Sequence, residues 1–159
     1  MKKILFPILA LILLATLCHS ASAQDMSLYV DKSFKPAMKE LLPLFKVQTG
    51  FEIKLVLRTT PALVKRILES GSADLFFPAS EEAMRQVMEK GLVDVALKRN
   101  IVLLPSTEPA EEGVAHPPQY IAAAVLLNAP HRLQAMAFLE FLTSEESRNV
   151  FSRLGYSLP

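Results

Sequence analysis

Three short stretches of this sequence place a hydroxyl between a run of apolar residues and the start of an amphipathic segment. Ser33 follows Leu28-Tyr29-Val30, Thr59 and Thr60 follow Ile53 to Leu57, and Ser80 follows Leu75-Phe76-Phe77. If the runs are strands and the segments helices, each hydroxyl stands at a helix N-terminus, where unpaired N–H groups and the positive end of the helix dipole favour an anion. In an open α/β sheet such turns gather at the carboxyl ends of the strands, where ligands bind. Lys32 and Arg58 directly precede two of the hydroxyls and add positive potential at the same mouth. The chemistry on offer is anion recognition rather than bond making. The same hydroxyls also suit helix capping, which is the better role for Ser80, while Ser33 and Thr60 fit either.

Other chemistries lack their residues. There is no G-x-S-x-G elbow, no GxxxxGK phosphate loop and no G-x-G-x-x-G turn. His116 lies in an irregular stretch between Ala115 and Pro117, and His131 follows Pro130; neither has the spacing of a zinc ligand set, and His19 belongs to the leader described below. Glu81 with Glu82, Glu111 with Glu112 and Glu145 with Glu146 are adjacent pairs, and adjacent residues on a helix point apart, so they read as caps and solvated charge rather than an acid/base dyad. The expectation is a binding protein with no cofactor, no metal and no catalytic residues.

The elements that must position the hydroxyls follow from periodicity. Ser27 to Val30 is a brief strand; Phe34, Ala37, Met38, Leu41, Leu42 and Phe45 then recur at helical spacing up to Gly50, with Pro43 inside the pattern. Ile53 to Leu57 is a second strand, and Thr59-Thr60-Pro61 opens a helix whose stripe Leu63, Val64, Ile67 and Leu68 ends at Gly71. Leu75 to Phe77 is continuously apolar, as a buried parallel strand is. Ser80 starts a helix with Met84, Val87 and Met88 on its buried side, closed by Gly91, and Ile101 to Leu104 is a fourth strand. Pro105 to Gln119 carries four prolines and three acidic residues with almost no periodicity, a loop long enough to signal either function or a missing piece. Tyr120 to Leu127 is a fifth strand, followed by a helix on Ala135, Phe138, Leu139 and Leu142 and a last one capped by Ser144 and stopping near Gly155. This order predicts an α/β fold: a three-layer αβα sandwich on a mostly parallel five-stranded sheet.

The chain has 159 residues, the size of one domain, and a formal net charge of +1, which gives no reason to expect a nucleic-acid partner or a polybasic membrane contact. Met1-Lys2-Lys3, the apolar run Ile4 to Leu17 and then Ala21-Ser22-Ala23 read as a secretory signal peptide cleaved after Ala23. The run falls short of the roughly 18 residues that a spanning helix needs, so no membrane insertion is expected after cleavage. The lone cysteine, Cys18, leaves with this leader, and residues 24–159 must fold on an apolar core without a disulfide.

With the elements in place, three segments become recognisable. ADLFFPASEEAMRQVMEKGLV (Ala73 to Val93), YIAAAVLLNAPHRLQAMAFLEFLTSEESRNVFSRLGY (Tyr120 to Tyr156) and LYVDKSFKPAMKELLPLFKVQTG (Leu28 to Gly50) together resemble the molybdate-type periplasmic solute-binding proteins, of the type II periplasmic binding protein superfamily. The resemblance implies one lobe of a two-lobed clamshell that serves an ATP-driven (ABC) importer by closing on a small oxyanion, located in the periplasm. It places Ser33 on the family's serine after the first strand, and Thr59 or Thr60 in its second serine-rich turn. Ligand-binding residues are therefore expected at Lys32, Ser33, Arg58, Thr59 and Thr60. The chain departs from the family where Asp31-Lys32 replaces two small residues and where Arg58 enters the second turn. The family also inserts its second lobe where this chain has only the loop 105–119. A lobe holding an anion from one side leaves it hydrated, so the expected affinity is no better than about millimolar, roughly −4 kcal/mol, unless a partner closes the site. The expected partners are the oxyanion and an ABC permease, and the open mouth makes a second copy of the chain, as a homodimer, another candidate. The alternative on the same fold is a non-transporting periplasmic interaction or regulatory module.

Overall fold

The computed structural model describes residues 25–104 and 119–159; the expected leader and nearly all of the loop 105–119, with His116, Glu111 and Glu112, lie outside the described residues. Five strands form one sheet: β1 (Met26–Asp31), β2 (Ile53–Arg58), β3 (Leu75–Phe77), β4 (Val93–Leu104) and β5 (Gln119–Leu126), in the spatial order β2-β1-β3-β5-β4. β1 pairs in parallel with β2 and β3, whereas β5 runs antiparallel to both β3 and β4. Four strands thus share one direction and β5 alone opposes them, so the sheet is mostly parallel, as expected, and mixed only at β5. Strand direction depends on which neighbour a strand joins, and the apolar pattern of β5 carries no such information.

Five helices cover the sheet: α1 (Lys35–Thr49), α2 (Thr60–Ser70), α3 (Glu81–Glu89), α4 (Arg132–Thr143) and α5 (Glu145–Arg153). Alternation along the strands sorts them into two layers. Leu28, Val30, Leu75, Phe77, Ala123 and Val125 face α1, α4 and α5, and Tyr29, Phe76, Ala122 and Ala124 face α2 and α3. The result is the three-layer αβα arrangement. Gly50 and Gly71 end α1 and α2 at φ of 73° and 60°, a conformation in which a side chain would be strained, and each donates its N–H back to the helix, to the Lys46 and Ile67 carbonyls. Pro43 lies inside α1.

β4 is longer than the expected Ile101 to Leu104, beginning at Val93. It is an edge strand, and Val95 is exposed while Val93 is buried, so its first half has the broken hydrophobicity of an edge. Its ladder with β5 is interrupted twice, between Val93 and Lys98 and between Asn100 and Val102. Gln119, expected in the loop, is the first residue of β5.

Candidate functional site

β1, β2 and β3 run side by side in the same direction, so the turns leaving them share one rim of the sheet. A short 3-10 turn, Lys32–Phe34, links β1 to α1; Thr59 precedes α2; Ala79 and Ser80 precede α3. Ser33 and Thr60 therefore lie at the same end of the molecule. What joins them is Asp31, the last residue of β1, which is 7% exposed. One of its carboxylate oxygens, Oδ1, accepts from the Ser33 N–H at 2.9 Å, and the other, Oδ2, accepts from the Thr60 N–H at 2.6 Å and from the Thr60 hydroxyl at 2.7 Å. The Thr60 hydroxyl in turn accepts from the Ala79 N–H at 2.9 Å. One carboxylate and one hydroxyl thus tie together the ends of three strands.

Burial pushes the Asp31 carboxyl up, but the Ser33 amide, the Thr60 hydroxyl, the Ser33 side chain and the Thr60 amide outweigh it and hold its pKa below the ordinary carboxylate value. Spacing alone offers the hydroxyls at 59 and 60 as caps for α2. Thr59 is the N-cap residue, yet its side chain makes no cap bond; Asp31, from the neighbouring strand, takes the Thr60 N–H instead. Lys32, Ser33, Arg58 and Thr59 are exposed around this buried centre, and Arg58 donates to the Leu57 carbonyl. Ser80 caps α3 as expected, accepting from the Ala83 N–H at 3.2 Å, with Glu81 and Glu82 in the first turn. Between α2 and α3, beside Thr60 and Ser80, opens a groove of about 610 Å³ floored by Val64, Leu68 and Ala83.

An aromatic stack supports the rim from below. Phe34, in the turn after β1, lies face to face with Phe77 of β3 at 4.2 Å between centroids, and Tyr156 stacks on Phe34 from the other side at 5.6 Å. The Tyr156 hydroxyl donates to the Ser33 carbonyl at 2.8 Å, so the C-terminal segment pins the turn that carries Ser33.

At the opposite end of the sheet sits a second buried carboxylate, Asp74, 1% exposed. It accepts from the Ser27 N–H at 2.7 Å and hydroxyl at 3.0 Å and from the His131 N–H at 2.6 Å, and His131 Nδ1 lies 3.2 Å away. Ser27 bonds Asp74 rather than the imidazole, so this is no nucleophile–base relay; it fastens β1, β3 and the start of α4 together. Burial raises the Asp74 pKa and these hydrogen bonds lower it by more. Among the described residues no group of three or more His, Cys, Asp or Glu side chains is placed to hold a metal ion.

An open α/β lobe with strand-end turns and helix N-termini on one rim is the architecture of a solute-binding lobe. The chain belongs to the bacterial extracellular solute-binding protein family, which it matches over residues 26–110 and 95–157. No curated protein sequence matches it. Among solved structures it resembles the periplasmic molybdate-binding protein of Azotobacter vinelandii, with a TM-score of 0.72 at 11% identity over 85% of this chain and 100% of that one. It also resembles the substrate binding domain assigned to a molybdenum ABC transporter of Clostridium difficile (0.71, 14%, 85% and 99%) and iron-bound HitA of Pseudomonas aeruginosa (0.65, 14%, 81% and 84%). Likeness at such identities defines the fold, here a single lobe of the periplasmic binding protein type. The family is one of solute-binding proteins, and these neighbours are a molybdate-binding protein, a substrate binding domain and an iron-bound protein. No helix among the described residues is long and apolar enough to cross a membrane.

Proposed function

We propose that this chain is an exported, periplasmic single-lobe component of an ABC importer that meets a small oxyanion such as molybdate at the rim formed by Lys32, Ser33, Arg58, Thr59 and Thr60, weakly unless a permease or a second copy closes over it. The observation that carries this reading is that the Ser33 N–H and the Thr60 N–H and hydroxyl, from the ends of β1 and β2, converge on one carboxylate at that rim, with the Ala79 N–H from the end of β3 held on the Thr60 hydroxyl. The leader at residues 1–23 supports export. The family match arrives in two pieces that overlap at 95–110, next to the place where a two-lobed protein of this class would insert its other lobe, and this supports a short connection between β4 and β5 in its stead. Isothermal titration of the chain from Gln24 onward with molybdate, tungstate, sulfate and phosphate tests the reading. The expected result is a dissociation constant no tighter than about 1 mM, about −4 kcal/mol, for at least one of them; micromolar binding to the monomer would contradict one-sided recognition, and silence from all four would remove oxyanion capture.

The second reading, a non-transporting interaction or regulatory module, draws on a different observation: the inner donors of the rim are already engaged by Asp31, while Lys32 and Arg58 remain exposed. A stable dimer or a co-purifying partner in size-exclusion chromatography with light scattering, together with calorimetric silence, favours it.

A further inference from the structure

Helix N-termini are ordinarily capped by the residue that begins them. In α2 that residue, Thr59, makes no side-chain bond to the helix, and the acceptor comes from Asp31, 29 positions earlier and on another strand. The carboxylate collects three donors from two separate turns, Ser33 N–H on one oxygen and Thr60 N–H and hydroxyl on the other. These hydrogen bonds, from Ser33 and Thr60, are the main causes that lower its pKa, although Arg58 is its register partner across β1 and β2. A nearly buried carboxylate held by backbone N–H groups and a hydroxyl takes the same donors that a bound oxyanion would take in that place.

We propose that Asp31 is a resident anion: its carboxylate fills the inner cradle of the rim, so free oxyanions are excluded from the Ser33 amide and from the Thr60 amide and hydroxyl, and reach only the exposed side chains of Lys32, Ser33, Arg58 and Thr59. This rests on the rim being the ligand-facing site, as proposed above. It makes Asp31 a specificity-determining residue. Removing the carboxylate leaves three donors aimed at a space the size of a carboxylate, with a positive helix end behind them.

The test is rescue of Asp31→Ala by formate, with chloride replaced by formate at constant ionic strength and unfolding followed by circular dichroism. The Asp31→Ala variant is expected to melt well below the parent chain and to regain about 3 °C or more of its thermal midpoint at 100 mM formate, a shift set by ligand occupancy of the folded state alone. The parent chain and Asp31→Asn, which keeps the volume filled, should move by less than about a third of that. If Asp31→Ala does not fold in chloride, its folded fraction is titrated against formate, and recovery of structure gives the same readout. An Asp31→Ala variant that is insensitive to formate, or a parent chain that responds as strongly, overturns the proposal. Rescue with no oxyanion binding by the parent chain upholds the resident anion while the importer reading fails; calorimetric binding by the parent chain without rescue does the reverse.

Discussion

Asp74→Ala is expected to lower the unfolding free energy by about 3–5 kcal/mol, the cost of removing one partner from a buried charged cluster. The side chain is 1% exposed and serves as acceptor for the Ser27 amide and hydroxyl and for the His131 amide, so the alanine variant leaves the two part-buried amides without that acceptor and the Ser27 hydroxyl with only the Ser72 carbonyl. The loss also unties β1 from β3 and from the start of α4. Urea unfolding followed by circular dichroism checks this, and a change under about 1 kcal/mol would contradict it. The acid limb carries a second signature. Because the folded-state pKa of Asp74 lies below its ordinary value of 3.8, its contribution is fully present above that value and is lost as pH falls through the folded-state pKa. The gap between the parent chain and Asp74→Ala should therefore narrow as pH drops below about 4.

The second large effect is expected at Phe77, whose truncation to alanine should cost about 3–5 kcal/mol. Phe77 is fully buried, stacks on Phe34 and meets Phe151 edge-on at 6.4 Å. Nothing small can fill that space without moving Phe34, and Phe34 carries the turn in which Ser33 donates to Asp31. The same substitution thus loosens the rim as well as the core. Urea midpoints measure the first effect, and faster amide exchange at Ser33 than in an equally destabilised core variant on the α2–α3 face, such as Ile67→Ala, measures the second. Equal exchange in the two would separate the aromatic stack from the rim.

The elements were legible wherever a local pattern determines the structure. The stripe of Phe34, Met38, Leu41 and Phe45 closed by Gly50, and the Ser80 and Ser144 caps with acidic pairs behind them, each involve residues a few positions apart, and all form as the periodicity predicts. The apolar triplet Leu75–Phe77 is a wholly buried strand between β1 and β5. Two features escaped because their causes are not local. The first half of β4 pairs on one side only, so Val95 is exposed and the run lacks the unbroken hydrophobicity of a central strand. The direction of β5 against its neighbours is set by pairings with residues as far as Leu75, opposite Val125.

The site shows the same division. Hydroxyls at strand ends are readable from spacing, and Ser33 and Thr60 do lie together on one rim. The group that joins them is not readable this way. Asp31 stands at the end of β1 as an unremarkable charged residue, and only the parallel register of β1 with β2 carries Thr60 within 2.7 Å of it. Its one sequence signal is the charged pair Asp31-Lys32, where the resemblance implies two small residues. Asp74, lying within the ADLF stretch of the resemblance, gave no sign that it would gather Ser27 and His131, 47 and 57 positions away.

The account turns on Asp31 being ionised and saturated by the donors that an incoming oxyanion would need. The direct measurement is a carboxyl-detected NMR pH titration of Asp31 in the folded chain. The account predicts a pKa below the ordinary 3.8, together with titration shifts of the Ser33 and Thr60 amides that follow the same curve. A pKa at or above 3.8, or Thr60 amide shifts independent of Asp31, would mean that the carboxylate is not the occupant of the rim.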